Sequence, residues 1–175
     1  KLAKEYHLLI PVIDGHGEAG EKVFQSIEES ALSLMSYLDE NFHGEVFAIS
    51  GFSLGAQIVV EILSQRPRFT QYAILESALV QPMKLPPFLT SKVYSLFYSL
   101  IKRKWFAKTQ AKALSLPKVM FENYYQDSQK ISKESLINLA FSNGSYSLKD
   151  TITNFQGKAL IIIGDKEIKG IKKSA

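Results

Sequence analysis

The segment EVFAISGFSLGAQIVVEILSQ, residues 45–65, constrains the fold more than any other stretch. EVFAIS is a short apolar run of the kind carried by a strand covered on both faces. LGAQIVVEILSQ has the pattern of an amphipathic helix, closed by Pro67. Only Gly51-Phe52-Ser53-Leu54-Gly55 joins the two, so the chain must pass from strand to helix in one sharp bend. A serine at the tip of such a bend sits in a strained conformation, and its neighbours two residues away must be small; Gly51 and Gly55 meet that demand and Ala56 continues it. The bend lifts the Ser53 hydroxyl above the sheet edge at a helix N-terminus, whose dipole favours a developing anion. The Leu54 N–H is then a donor for an oxyanion. Ser53 is thus a candidate nucleophile, Leu54 a candidate oxyanion-hole residue, and Gly51, Phe52 and Gly55 the elbow. A plain helix N-cap is the competing reading of the same serine.

The rest of the first half alternates strand and helix, which favours a mainly parallel α/β sheet flanked by helices. HLLIPVI reads as an earlier buried strand. Val23, Ile27, Ala31, Leu34 and Leu38 recur at helical spacing in a segment expected to end near Gly44. QYAILES reads as a third strand. From Gln81 to Asp150 no strand pattern occurs; Pro82, Pro86 and Pro87 open the region, and SKVYSLFYSLIKRKWF, AKTQAKALSL, PKVMFENYYQDSQ and SKESLINLAFSN read as helices. KALIIIG, after Gly157, reads as a fourth strand, and KGIKKSA as a helix start. The expected organisation is an α/β core over 1–80 and 151–175, with an all-helical insertion over 81–150.

Composition removes several function classes. The 175 residues are 46% hydrophobic and 22% charged, ordinary globular material. No apolar run reaches the ~18 residues of a membrane span, and KLAKEYHLLIPV lacks the cleavage site of a signal peptide. No cysteine is present, which excludes disulfides, thiolate metal sites and cysteine nucleophiles and accords with a cytoplasmic protein. The net charge of +4 does not by itself indicate nucleic acid.

A second glycine motif competes for attention. GHGEAG, residues 15–20, spells the dinucleotide fingerprint G-x-G-x-x-G after an apolar run. That chemistry needs an acid at the end of the next strand for the ribose. The next strand ends Ile49-Ser50-Gly51, with no acid, so these glycines are expected to serve a turn.

Together the two motifs resemble the α/β-hydrolase family over almost the whole chain. IPVIDGHGE is similar to the family's loop after its fourth strand, with Pro11, Gly15, His16 and Gly17 matching and Val12 where an Asp is common. FAISGFSLGA resembles the fifth strand and nucleophile elbow, residues 81–150 the helical cap, and LIIIGDKE the seventh strand. The resemblance implies an acid after that strand that orients a catalytic histidine: Glu167 on the spacing from Gly164, or Asp165. It also implies the order serine, acid, histidine. His7, His16 and His43 all precede Ser53, and the family's third strand, whose loop gives the second oxyanion donor, would precede Lys1. The stretch is therefore expected to be an internal portion of a longer hydrolase.

The implied activity is that of a serine hydrolase, carboxylesterase-like on a small ester or thioester, working through an acyl-enzyme with no metal and no organic cofactor. A lyase or C–C bond hydrolase would use the same serine. The rival is a non-catalytic binding or regulatory protein on the same scaffold. The expected partner is a small molecule with an apolar portion, against which Phe97, Trp105, Phe106, Phe121, Tyr124 and Tyr125 could form a pocket. No nucleic acid and no transmembrane segment are expected, and a homo-oligomer is compatible with the sequence.

Overall fold

A computed structural model describes residues 2–83 and 87–175, with side chains over 2–83 and 92–175. Three parallel strands form the sheet in the order β1-β2-β3: β1 is Val46–Phe52, β2 Thr70–Glu76 and β3 Lys158–Ile162. Helix α1, Ile27–Phe42, precedes β1, and α2, Leu54–Gln65, connects β1 to β2. Four helices lie between β2 and β3: α3 (Pro87–Ile101), α4 (Lys104–Ala113), α5 (Phe121–Lys130) and α6 (Lys133–Ser145). Helix α7, Lys169–Ser174, follows β3. The expected Pro86 at the head of the insertion lies outside the described residues.

Each helix in the core begins and ends for a local reason. The Ser26 hydroxyl accepts from Glu29 N at 3.1 Å and caps α1, so this helix starts four residues later than the apolar spacing from Val23 suggests. It ends at His43 in the left-handed conformation (φ 60°), with Gly44 N donating to Leu38 O at 3.0 Å. Ile27, Ala31, Met35 and Leu38 face the core. They pack with Ile58, Val59, Ile62 and Leu63 of α2, and with Ala73 and Leu75 of β2.

Residues 7–13, expected as a strand, are not one. They have no regular secondary structure; residues 7–12 are exposed, Ile10 by 85%, and Ile13 packs partly buried against the core. A strand exists only where a neighbour satisfies its backbone, and among the described residues β1 pairs on one edge alone, with β2. The segment is held near β1 by side chains instead: Tyr6 stacks on Phe47 and His7 meets Phe42 edge-on. The boundary between the first two inserted helices also moves, falling at Lys102–Arg103 rather than after Phe106.

Strand β2 is covered on one face, with Ala73 and Leu75 buried, while β3 is exposed on both. The register aligns Tyr72 with Lys158, Ile74 with Leu160, and Phe52 and Ile162 with Glu76. Phe52, Tyr72, Ile74, Leu160 and Ile162 are exposed on that side, whereas a parallel sheet in a complete α/β unit is covered on both.

Polar contacts tie the inserted helices to the core. Ser135, Asn138 and Ser142 share one face of α6. Ser135 Oγ accepts from Phe24 N at 3.0 Å, Ser142 Oγ accepts from Ile27 N at 3.0 Å, and Asn138 Nδ2 donates to Phe24 O at 2.9 Å. Gln57, buried in α2, donates to Leu79 O and Asn143 O. Fully buried Glu61 accepts from Lys149, from Tyr146 Oη at 3.1 Å and from Gln65 at 2.6 Å. Desolvation of Tyr146, reinforced by the Glu61 carboxylate, pushes its phenol pKa far above the usual value.

Candidate active site

The C-terminal ends of the three strands meet along one sheet edge, where Ser53, Ser77 and Glu167 lie in a row. Ser53 N donates to Glu76 O at 2.8 Å, and Ser77 N to Ile162 O at 2.9 Å, which carries the ladder past the last strand residues. Ser53 has φ 51° and ψ −113°. For a residue with a Cβ this is a strained conformation, costing roughly 1–3 kcal/mol. The turn enforces it: α2 starts at the next residue, and Ala56 N and Gln57 N both donate to Ser53 O.

Ser53 occupies the N-cap position of α2, yet its hydroxyl accepts no capping bond. The plain N-cap reading therefore fails, because a capping hydroxyl would accept from the second or third helical amide. Oγ has no hydrogen-bond partner among the described residues, and neither has Leu54 N–H beside it. A half-buried serine with an unengaged hydroxyl next to an unengaged helix N-terminal amide can attack a carbonyl carbon while the amide receives the oxygen.

The two elbow glycines differ. A Cβ on Gly51 would lie 2.3 Å from Gly55 O and 2.5 Å from Ala56 N, so the turn tolerates only glycine there. A Cβ on Gly55 would meet nothing within 4 Å. The expectation that both must be small holds for Gly51 and is corrected for Gly55: by this point the helix has turned its side-chain direction away from the strand. Phe52, the residue between Gly51 and the nucleophile candidate, points its ring to the open face of the sheet and is 61% exposed.

Glu167 and Asp165 have different surroundings. Glu167 is half-buried; its Oε1 accepts from Ser77 Oγ at 2.6 Å, and its N–H donates to Gly164 O at 3.1 Å. Asp165 is exposed, its carbonyl accepts from Lys172, and its carboxylate has no partner among the described residues. Nothing in the sequence pattern alone marks Ser77. It is 5% exposed, in the left-handed region at φ 53°, and aims its hydroxyl at the acid. The only signal for it was its place as the last residue of QYAILES, the strand end nearest the elbow. Ser53 follows β1 and Ser77, which holds Glu167, follows the neighbouring β2; no hydrogen bond joins Ser53 to Glu167 among the described residues. A charge relay between them would need a bridging side chain.

None of the three histidines supplies the bridge. His43 closes α1 ahead of the N-terminal end of β1, a strand length of roughly 20 Å from the elbow. His7 packs on Phe42 at that same end. His16 Nδ1–H donates to Asp14 O at 3.1 Å and its ring meets Phe24 edge-on, a role internal to its loop. In that loop the amides of Gly15, His16, Ala19 and Gly20 donate to the carbonyls of Ala19, Ile13, His16 and Gly17, respectively. A phosphate cradle needs such amides free.

The aromatic residues proposed for a pocket cluster among themselves: Phe97 with Phe106, Trp105 with Phe106, and Phe121 stacked on Tyr125. Trp105 is 61% exposed. Two cavities lie elsewhere. One is lined by Val46, Thr70 and Lys158 at the N-terminal ends of the strands, the other by Ser26, Phe141 and Tyr146; Ser53 and Glu167 line neither. Among the described residues no cluster of histidines and acids could hold a metal ion, and no helix is long and apolar enough to cross a membrane.

No protein-family model and no curated protein matches the chain. Solved structures do. A protein of Desulfitobacterium hafniense assigned to the α/β-hydrolase family aligns with a TM-score of 0.65 at 24% identity, over 92% of this chain and 66% of its own. A thermophilic esterase of Thermogutta terrifontis aligns over 100% of this chain and 69% of its own, with a TM-score of 0.73 at 14% identity. A carboxylesterase of Nitrososphaera gargenis aligns over 92% and 62%, with a TM-score of 0.66 at 16% identity. The chain spans about two thirds of the length of these structures. Their shared architecture gives this chain the α/β-hydrolase fold.

Proposed function

We propose that the chain carries the nucleophile and the acid of a serine hydrolase that is carboxylesterase-like on a small ester or thioester. The observation that supports this most is Ser53 itself: a strained residue at a strand-to-helix turn, with its hydroxyl withheld from the capping bond that its position offers. Strain retained without a structural return is characteristic of functional positions. In this reading Ser53 Oγ attacks the substrate carbonyl and Leu54 N–H donates to the oxygen that becomes negative. Glu167, held by Ser77, orients a histidine other than His7, His16 and His43. That histidine takes the Ser53 proton and returns it to the leaving group. Glu167 is favoured over Asp165 because its carboxylate is already positioned by a hydrogen bond.

The activity of the full-length protein on short-chain aryl esters and thioesters tests this. Glu167→Gln should leave the fold intact and lower kcat by about 10³–10⁴, as loss of the orienting acid does in related chemistry. Asp165→Asn should leave kcat within about twofold. Equal kcat in Glu167→Gln and wild type would remove Glu167 from the mechanism. A second reading, a non-catalytic protein on this scaffold, has one observation in its favour: the distance of His7 and His43 from the elbow. Absence of turnover in full-length protein across both substrate classes would give it the lead.

A further inference from the structure

The chain's charge is unevenly placed. Between Glu76 and Glu122 there is no Asp or Glu, while the stretch holds eight of the 21 lysines and arginines. Elsewhere acids outnumber bases. Two of these cations are engaged within the fold. Lys102 Nζ donates to Ser128 O at 3.2 Å and Ile131 O at 2.8 Å, at the C-terminal end of α5, and Lys104 pairs with Glu122 at 2.8 Å. Lys108, Lys112 and Lys118 are exposed and have no ion-pair partner among the described residues.

The same segment exposes apolar side chains. Trp105 lies on the face of α4 that carries Lys108 and Lys112, at i, i+3 and i+7, while Ala107 and Ala111 are buried on the other side. In the turn that follows, Val119 is 89% and Met120 50% exposed. A single exposed apolar residue needs no explanation. A tryptophan beside two lysines, then a Val-Met tip beside a third, in a stretch without one acid, fits an interfacial surface: indole at the headgroup level, aliphatic tips in the acyl boundary, lysines on lipid phosphates.

We propose that the outer face of α4 and the turn after it dock this protein on an anionic lipid surface. Charge complementarity selects an anionic partner, and the aliphatic tip selects lipid over nucleic acid, because Val119 and Met120 offer no aromatic face on which a base could stack. The inference does not rest on the hydrolase reading.

Trp105 is the only tryptophan among these 175 residues, and subtracting the emission of a Trp105→Phe variant of the full-length protein isolates the signal of this face. Full-length protein is titrated with vesicles of phosphatidylcholine, with and without one-third phosphatidylglycerol. On the anionic vesicles the emission should move to shorter wavelength and co-sedimentation should follow, both weakening as salt is raised. Lys108→Gln with Lys112→Gln should weaken binding about 25-fold, about fivefold per lysine. Val119→Ser should weaken it about tenfold, with unchanged salt dependence. An unmoved emission on anionic vesicles, equal binding to neutral ones, or wild-type binding by the lysine double variant would overturn the proposal. So would capture by heparin without any response to vesicles, which would assign the patch to a soluble polyanion. No ester turnover enters the readout, so failure here leaves the proposed reaction standing.

Discussion

Ser53 concentrates the tension in this chain between stability and chemistry. Its φ of 51° belongs to glycine's range, so Ser53→Gly should raise stability by about 1 kcal/mol over Ser53→Ala, which keeps the strained Cβ. Both variants should lose turnover by about 10⁴-fold or more. Chemical denaturation and ester kinetics on the pair separate the two effects. The neighbouring glycines give a second contrast: Gly51→Ala should destabilise by about 3 kcal/mol, because its Cβ would enter the Gly55 carbonyl. Gly55→Ala should cost nothing and could add up to about 1 kcal/mol through helix propensity. The G-x-S-x-G spelling made Gly51 and Ser53 legible from sequence, since the bend demands them. Ser77 was not legible, because its role depends on which strands become neighbours, and a serine ending a strand has no local mark.

At the scale of elements, the buried group around Glu61 fixes α2 to the segment that follows α6. Tyr146→Phe should cost about 1–2 kcal/mol by removing a donor from a fully buried carboxylate. It should also change the alkaline limb. Tyr146's folded pKa lies above its unfolded value near 10.0, so the native state keeps its proton while the unfolded chain releases it. The stability this contributes is complete below about pH 10 and falls above it, by up to about 1.4 kcal/mol per pH unit. Urea titrations from pH 8 to 11 should show that slope in wild type and a shallower one in Tyr146→Phe; equal slopes would contradict the assignment. Helix α2 and strands β1–β3 could be read from hydrophobic pattern because that is what packs them. The docking of α6 could not, since Ser135, Asn138 and Ser142 bind the core through hydroxyls and an amide, and a polar helix face looks solvent-exposed in a sequence.

Over the whole molecule, one sheet edge gathers the candidate chemistry, and the sheet exposes apolar residues on the face of Phe52, Tyr72 and Ile74 and on both faces of β3. The strand expected at residues 7–13 shows how far local pattern reaches: HLLIPVI has a strand's composition, but strand structure is a property of a pair, and β1 has no hydrogen-bonded partner on that edge among the described residues. The same limit explains β3, whose apolar run predicts burial although Leu160, Ile161 and Ile162 are all exposed, because burial depends on what packs against the strand and not on its composition. The central claim, that Ser53 is an activated nucleophile, is tested most directly by treating full-length native protein with a fluorophosphonate and mapping the adduct by peptide mass spectrometry. The account predicts one adduct, on Ser53, absent after heat denaturation and in Ser53→Ala. No adduct on Ser53, or one that forms equally in denatured protein, would contradict it.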